Sequence, residues 1–177
     1  MKSRDIKTEV KKYFFLYPTA KLRVRQIERE VKVPLPSAIR YSKELENENI
    51  LKSTIVAGMK LYSADRTSQN FLLEKKLFNI HSLFSSELVS FFINELSNPT
   101  IVVFGSYSRG EDIENSDIDI YVETQSKNKL DLSKFEKKLK RKIQVFRYKN
   151  INKVENKSLA NNIINGILLN GFVGVFK

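Results

Sequence analysis

The chain has 177 residues, 41% of them hydrophobic and 29% charged, which is typical of a globular rather than a disordered protein. It has no cysteine and a single histidine, His81, which excludes disulfides and thiolate sites and argues against a His-rich metal site or a Ser-His-Asp triad. Any metal ion would therefore be held by carboxylates, and His81 is expected to be an ordinary surface or interfacial side chain.

The charge of the chain favours a polyanionic partner. The formal net charge is +11, and residues 1–66 hold 15 basic against 8 acidic side chains, whereas the rest holds 16 against 12. The smaller N-terminal part is therefore the more basic, as expected for a nucleic-acid-binding domain. No run approaches the roughly 18 apolar residues of a membrane span, and residues 1–5 lack an apolar signal segment, so the sequence predicts a cytoplasmic protein without a membrane partner.

Residues 5–65 predict three helices followed by a hairpin. Apolar residues recur at three- to four-residue spacing in the helical segments, and a Gly-containing turn at 57–58 joins the two strands. Pro34 and Pro36 predict a turn, after which Ser37 caps or opens the third helix, with Ile39 and Leu45 facing inward. The predicted helices are 5–16, 24–31 and 37–47, and the predicted strands are 50–56 and 59–63.

This element order resembles the winged helix-turn-helix domains of prokaryotic transcription regulators. The resemblance implies double-stranded DNA as a partner, with the third helix in the major groove and the wing near phosphates. Such proteins often act as dimers on two-fold DNA sites, so a homodimer is compatible with it. The alternative is that the third helix presents an ordinary solvated face. The candidate DNA-contacting residues are Ser37, Arg40, Tyr41, Lys43, Lys52 and Lys60.

Beyond residue 66 the sequence predicts a helical connector and a second domain. Residues 67–97 predict two helices, and from Asn98 the pattern changes to alternating strands and helices. The predicted fold class is α+β, with domains at 1–66, 67–97 and 98–177 and a mixed sheet flanked by helices in the last. Its predicted strands are 100–104, 117–123 and 142–148, its helices 130–141 and 153–164, and residues 166–176 form either a strand or a packed tail.

Two short motifs in this second domain indicate a phosphate site and a metal site. Gly105-Ser106 follows a buried strand, where backbone N–H groups can approach a phosphate and Arg109 can add positive charge. Asp117 and Asp119 are two residues apart in the next strand, so both carboxylates lie on one face. Paired carboxylates of this kind suit Mg²⁺, which also bridges to substrate phosphates.

In this order the two motifs resemble the nucleotidyltransferase superfamily with the DNA polymerase beta-like fold. The string from Gly105 to Asp119 looks like the minimal prokaryotic branch, which includes toxin–antitoxin antitoxins paired with HEPN-domain toxins, so a HEPN-like protein is a candidate partner. The resemblance implies transfer of a nucleoside monophosphate from a nucleoside triphosphate to a hydroxyl. By position, Gly105 and Ser106 would bind phosphates, and Asp117 and Asp119 would hold two Mg²⁺ ions as the catalytic residues.

The sequence departs from this family at one position. Active members carry a third carboxylate on the next strand, where this chain has Gln144, which is neutral and accepts no proton at pH 7. Glu123 is expected about 13 Å along the strand from Asp119 and too far away to replace it. Glu111 is a second, weak substitute, since an acid in a first helical turn commonly just interacts with the helix dipole.

Two functions therefore stay open on the sequence alone. The first is a nucleotidyltransferase that acts on a protein or nucleic-acid hydroxyl and is fused to a DNA-binding domain. The second is a DNA-binding regulator whose transferase fold is a non-catalytic nucleotide sensor or docking module, which Gln144 and the N-terminal charge favour. The basic run from Lys137 to Lys142 is either a solvated helix end or a nucleic-acid patch.

Overall fold

The structure is a computed structural model that describes residues 5–175. The chain divides into two compact units, an N-terminal unit that ends at Phe78 and a C-terminal unit that begins at Asn79. The first four residues of the predicted N-terminal domain, and Phe176 of the predicted strand or tail, lie outside the described residues. Within the described range, no helix combines the length and apolar character that crossing a membrane requires.

The N-terminal unit begins with three helices, and single residues next to the helices mark where they begin or end. Asp5 caps the first helix, because its carboxylate accepts a hydrogen bond from the backbone N–H of Thr8 at 3.1 Å. The second helix ends at Lys32, which adopts a left-handed conformation with φ of 57°. The helices are α1 (Ile6–Leu16), α2 (Val24–Val31) and α3 (Leu35–Asn47).

The third helix begins earlier than the proline pattern predicts. Pro34 is the residue before the helix and Pro36 lies in its first turn, so the predicted turn at residues 33–36 is half helical. Proline is tolerated there because the first N–H groups of a helix have no partner within the helix. The prediction that Ser37 caps this helix is therefore wrong, since Ser37 is already inside the first turn.

An antiparallel hairpin completes this unit, and a two-residue strand that the sequence pattern did not predict joins it. Ala57 and Gly58, both with positive φ, form the tight turn between the two long strands. The short strand pairs with the second strand of the hairpin through Lys21 and Leu22. The strands are β1 (Lys21–Leu22), β2 (Leu51–Val56) and β3 (Met59–Ala64), in the sheet order β1-β3-β2.

The core of the N-terminal unit forms where the three helices meet the hairpin. Helix α3 contributes Ala38 and Leu45, both fully buried. The prediction that Ile39 also faces inward is wrong, since 41% of its surface is exposed. The helical period explains the difference, because Ala38, Ser42 and Leu45 are spaced by four and three residues and so define a buried stripe that excludes position 39.

The two helices predicted in residues 67–97 are present. They are α4 (Gln69–Ser85) and α5 (Leu88–Glu95), and the boundary between the two units falls within α4. Glu87, the residue before α5, has a φ of 70°, which turns the chain between the helices. His81 is exposed on α4, in agreement with the absence of a predicted role.

The C-terminal unit contains a four-stranded mixed sheet, so the predicted α+β class is confirmed. Strands β4 (Thr100–Phe104) and β5 (Ile118–Glu123) are antiparallel, whereas β6 (Ile143–Tyr148) runs parallel to β5. Of the two alternatives for residues 166–176, the strand is present as β7 (Ile167–Asn170), an edge strand antiparallel to β4. Phe172 to Val175, which follow it, form no regular element. The sheet order is β6-β5-β4-β7.

The helices of this unit are shorter than the amphipathic pattern predicts. Helix α6 (Gly105–Arg109) follows β4 directly, and α7 (Ser133–Leu139) occupies only the middle of the predicted 130–141 segment. Lys140 ends α7 in a left-handed conformation with φ of 54°. The predicted helix 153–164 is split into a short 3-10 helix (Ile151–Lys153) and α8 (Lys157–Ile164), which Asn156 caps through the N–H of Leu159.

Candidate functional site

Strand β5 places its aspartates on one face and its aliphatic residues on the other. Ile118, Ile120 and Val122 are fully buried in the core beneath α5 and α7. Asp119 lies on the opposite face and is half-buried, while Asp117, just before the strand, is exposed. The predicted alternation is therefore present, as the two-residue period of a strand requires.

The aspartate face is more enclosed than the sequence pattern predicts. Further along β5, Tyr121 lies on the same face as Asp119 and is fully buried in a second core with Phe104 and Ile163. The sheet is thus covered on both sides beyond Asp119. The carboxylate of Asp119 consequently lies at the border between a closed apolar core and the open end of the strand.

Gly105 packs directly against the Asp119 carboxylate. Phe104, the residue before it, pairs with Asp119 across the antiparallel β4–β5 ladder. A Cβ atom added to Gly105 would lie 2.5 Å from Asp119 Oδ2, and the φ of Gly105 is 73°, a conformation that favours glycine. The glycine therefore brings the backbone of the Gly105-Ser106 turn next to one of the two aspartates, as the paired motifs predict.

The other two predicted phosphate ligands lie on α6, which follows this turn. Ser106 is half-buried in the first turn of the helix. Arg109 lies at the end of the helix, is exposed, and forms an ion pair of 2.6 Å between its Nε and Glu111 Oε2. Glu111 is thus engaged with Arg109, and the Arg109 guanidinium is held at the surface rather than against the aspartates.

Strand β6 places Gln144 beside Asp119. The two residues are register partners in the parallel β5–β6 ladder, and Gln144 is exposed. Glu123 is at the far end of β5, where its Oε2 accepts a hydrogen bond of 2.9 Å from the Tyr121 hydroxyl. The position next to Asp119 therefore holds a neutral amide, and the structure keeps Glu123 away from it.

The two aspartates influence one another electrostatically. Partial burial raises the pKa of Asp119 above its ordinary value, and the negative charge of Asp117 raises this pKa further. A raised pKa means that the surroundings of Asp119 disfavour its ionised carboxylate. A bound cation would remove this penalty, because it compensates both carboxylates at once.

The donor atoms at this position fit a hard divalent ion incompletely. Two carboxylates and the carbonyl oxygen of a neighbouring amide are oxygen ligands of the kind that Mg²⁺ accepts. In the described part of the chain, however, no group of three or more His, Cys, Asp or Glu side chains is placed to hold a metal ion. The residues therefore suit one ion held by Asp117 and Asp119 better than a complete two-ion site.

A buried polar network that the sequence analysis missed holds the loop between α6 and β5. Asp112 and Arg141 are 1% and 4% exposed at their side chains, and Arg141 Nη2 lies 3.4 Å from Asp112 Oδ2. The Asn79 amide donates to Asp112 Oδ1 at 2.7 Å and to the Tyr107 carbonyl oxygen at 2.9 Å. Three segments that are distant in sequence, α4, the α6–β5 loop and the start of β6, are joined through these groups.

This network changes the interpretation of the basic run at residues 137–142. Arg141 is a buried partner of Asp112 and not part of a solvated helix end, although its neighbours Lys140 and Lys142 are exposed. No local pattern distinguishes Arg141 from the lysines beside it. The one available signal was residue type, because arginine is the cation that most often serves buried, hydrogen-bonded ion pairs.

The candidate DNA-contacting residues of the N-terminal unit lie on α3 and the hairpin, and several are paired with other side chains. Arg40 stacks on the Tyr41 ring at 4.4 Å, donates to its hydroxyl, and lies 3.6 Å from Glu44. Lys43 is exposed on the same helix. The two lysines of the hairpin form ion pairs, Lys52 with Asp65 at 3.4 Å and Lys60 with Glu46 at 3.0 Å.

Comparison with known families bears on the C-terminal unit. Residues 86–169, slightly less than half of the chain, match the family model described as a nucleotidyltransferase domain. This segment is similar to nucleotidyltransferase domains. The match supports the nucleotidyltransferase superfamily for the segment that contains Gly105, Asp117 and Asp119. No curated protein and no solved structure matches the chain.

The buried ion pair of the nucleotidyltransferase-like segment yields a stability prediction. Replacing Asp112 with Asn removes the charge that compensates the buried Arg141 guanidinium, and we expect the free energy of unfolding to fall by about 3 kcal/mol. Denaturant titration of the full chain measures the change. The matched control is Glu111→Gln, which breaks the exposed pair with Arg109 and should change the same quantity by less than about 1 kcal/mol. Equal losses in the two variants would contradict the structural role of Asp112.

A second prediction follows from the raised pKa of Asp119. Because the folded state disfavours ionised Asp119, this residue lowers stability once the pH exceeds its ordinary pKa of 3.8, and the penalty is complete above the raised pKa. In EDTA at pH 7, Asp119→Asn should therefore raise the midpoint of thermal unfolding, and the gain should vanish as the pH approaches 3.8. Excess Mg²⁺ should stabilise the wild type but not the variant.

Asp131→Asn is the control for this experiment. Asp131 is exposed, and hydrogen bonds from Ser133 lower the pKa of its carboxyl, so the folded state favours its ionised form. Removing that charge should not raise the unfolding midpoint. A similar increase in both variants would indicate a general effect of the net charge of the protein rather than a penalty at Asp119.

Proposed function

We propose that this protein is a nucleotidyltransferase that transfers a nucleoside monophosphate from a nucleoside triphosphate to the hydroxyl of a nucleic acid or a protein. The observation that carries the proposal is the packing of Gly105 on Asp119, since it brings the predicted phosphate turn next to one of the two predicted metal ligands. The family match of residues 86–169 supports it independently.

The residues of the chain have separate roles in this proposal. The backbone of the Gly105-Ser106 turn and the Ser106 hydroxyl bind the phosphates, and Arg109 can supply positive charge once it leaves Glu111. Asp117 and Asp119 are the catalytic residues and hold Mg²⁺. When bound, this ion polarises the phosphorus that is attacked and neutralises charge on the leaving pyrophosphate.

Gln144 limits the activity in this proposal. A carboxylate beside Asp119 would complete the metal ligands and help to remove the proton of the acceptor hydroxyl. The amide of Gln144 offers one carbonyl oxygen and accepts no proton, so the proton must pass to solvent. The same observation favours the second candidate function, a DNA-binding regulator in which this domain senses nucleotide or docks a partner without catalysis.

The substitution Gln144→Asp tests the catalytic proposal. The full chain is incubated with each α-labelled nucleoside triphosphate, ATP, CTP, GTP or UTP, with Mg²⁺ or Mn²⁺, and with single-stranded oligonucleotides and a HEPN-like protein as acceptors. We expect slow label transfer by the wild type and a gain of about 100-fold in Gln144→Asp, the size of a typical general-base contribution. Adding Asp117→Ala to Gln144→Asp should abolish the gain.

The matched control is Gln125→Asp, which introduces the same charge at an exposed position beyond the far end of β5. It should transfer label at the wild-type rate. If neither the wild type nor Gln144→Asp transfers label from any nucleotide, the catalytic proposal fails. Calorimetry with Mg²⁺ and the four nucleotides then tests the second candidate, which requires binding in the wild type and its loss in Asp119→Ala.

We further propose that the N-terminal unit is a winged helix-turn-helix domain that binds double-stranded DNA. Three helices followed by a hairpin, together with the net charge of +7 over residues 1–66, support this reading. The exposed face of α3 with Lys43 would enter the major groove, and the wing would touch phosphates once Lys52 or Lys60 exchanges its acidic partner for DNA. A homodimer on a two-fold site is compatible with this domain type.

Salt dependence measures the proposed DNA contact. Binding of the full chain to random-sequence duplex DNA should weaken steeply with salt, and Lys43→Ala should reduce the slope of log affinity against log salt by about 1. Lys12→Ala removes the same charge from an exposed site on α1 and should leave the slope unchanged. Equal slopes in the wild type and Lys43→Ala would contradict a phosphate or groove contact at α3.

A further inference from the structure

An open cleft lies beside Asp117, on the C-terminal unit. Its volume is about 700 Å³. The loop that leads into β5 forms one wall with Glu114, Asn115, Ser116 and Asp117. Helix α7 and the turn between α7 and β6 form the other, the basic wall, with Glu136, Lys137, Lys140 and Lys142. Gly105 and Ser106 do not line the cleft, so it is separate from the turn to which the phosphates of the nucleotide are assigned.

The two walls are fixed to one another by hydrogen bonds. The backbone N–H of Ile118 donates to the carbonyl oxygen of Lys142 at 2.8 Å, which joins the first residues of β5 and β6 at the cleft. The Glu136 carboxylate accepts the N–H of Ile143 at 3.0 Å and forms an ion pair of 3.2 Å with Lys142. Helix α7 is thus tied to the start of β6, and its lysines are held opposite the loop that contains Asp117.

The net positive charge of the C-terminal unit is concentrated in the segment that includes the basic wall. Residues 127–142 include eight basic and two acidic side chains, a net of +6, whereas the rest of residues 79–177 includes six basic and nine acidic ones, a net of −3. The cleft itself is lined by four basic side chains, Lys137, Lys140, Arg141 and Lys142, and by three acidic ones, Glu114, Asp117 and Glu136. The surplus of positive charge in the segment on one side of the cleft attracts a ligand of negative charge. Among the described residues that line the cleft none is aromatic, so the cleft offers charge to a backbone and no platform for stacking bases.

We propose that this cleft binds the phosphate backbone of single-stranded nucleic acid and presents its terminal hydroxyl to the aspartates. The inference rests on the proposed transferase function and names its acceptor. The terminal oxygen forms a new bond to the α-phosphorus of the nucleotide, the bond from that phosphorus to pyrophosphate breaks, and the hydroxyl proton passes to solvent. Asp117 itself lines the cleft, so a strand held by the basic wall can bring its terminal hydroxyl to this aspartate. A single strand leaves that end unpaired.

The test measures binding without nucleotide or metal ion, so that it does not depend on catalysis. Labelled single-stranded RNA and DNA oligonucleotides are titrated with the full chain over a range of salt concentrations, and Lys137→Ala/Lys140→Ala is compared with the wild type. We expect the slope of log affinity against log salt to fall by about 1.4, since each phosphate contact on a single strand contributes about 0.7. The RNA and DNA arms show which of the two backbones is preferred.

Lys149→Ala/Lys153→Ala is the matched control, because it removes two exposed lysines of the same unit that lie outside the cleft. Its slope should equal that of the wild type. Equal slopes for the cleft variant and the wild type, or equal losses in the two double variants, would overturn the proposal. Thermal unfolding of both variants should match the wild type, since all four side chains are at the surface.

Label transfer separates this inference from the proposed function. In the active Gln144→Asp background, transfer to the preferred oligonucleotide should fall at least tenfold in the cleft variant and should stop when the terminal hydroxyl is blocked by phosphate. Transfer to an added protein that oligonucleotides do not inhibit would overturn the acceptor assignment and leave the transferase function intact. If the cleft variant lowers the slope of log affinity against log salt but no variant transfers label, the binding cleft is retained and the transferase function is refuted.

Discussion

The carboxylate of Asp119 occupies the space that a side chain at Gly105 would fill, and this close contact organises the C-terminal unit around it. Antiparallel pairing of β4 and β5 brings the end of one strand to the aspartate of the next, and the left-handed φ of the glycine turns the chain away at that point. The parallel neighbour β6 then sets Gln144 beside Asp119. Two strand pairings thus define where Asp119 lies relative to Gly105 and Gln144.

A buried ion pair next to the site holds the loop that precedes β5. The pair between Asp112 and Arg141 connects the loop before β5 to the turn before β6, and Asn79 ties Asp112 to α6 through the Tyr107 carbonyl. A buried pair of this kind gives little net stability but makes the loss of either partner costly. It therefore fixes where the loop lies, and this loop forms one wall of the cleft beside Asp117.

The charges of the molecule form two different patterns. In the N-terminal unit several basic side chains on α3 and the hairpin are paired with acids, so the proposed contact with DNA would require exchange of partners. In the C-terminal unit the basic residues are concentrated in one segment while the remainder is acidic. Net charge alone predicts a polyanionic partner, and only the placement of these residues indicates which surfaces would receive one.

The sequence by itself determined the existence and order of most helices and long strands, although not all of their bounds, because these depend on residues close together in the chain. The same holds for the alternation that separates Asp119 from the buried aliphatic residues of β5. The resemblance to nucleotidyltransferases predicted that Gln144 lies on the strand next to Asp119, and the β5–β6 register pairs these two residues. Only the tertiary structure showed that Arg141 is buried, that Ile39 faces outward and that Asp119 borders a second apolar core. Burial depends on segments that are distant in sequence, and no local pattern records which of them meet.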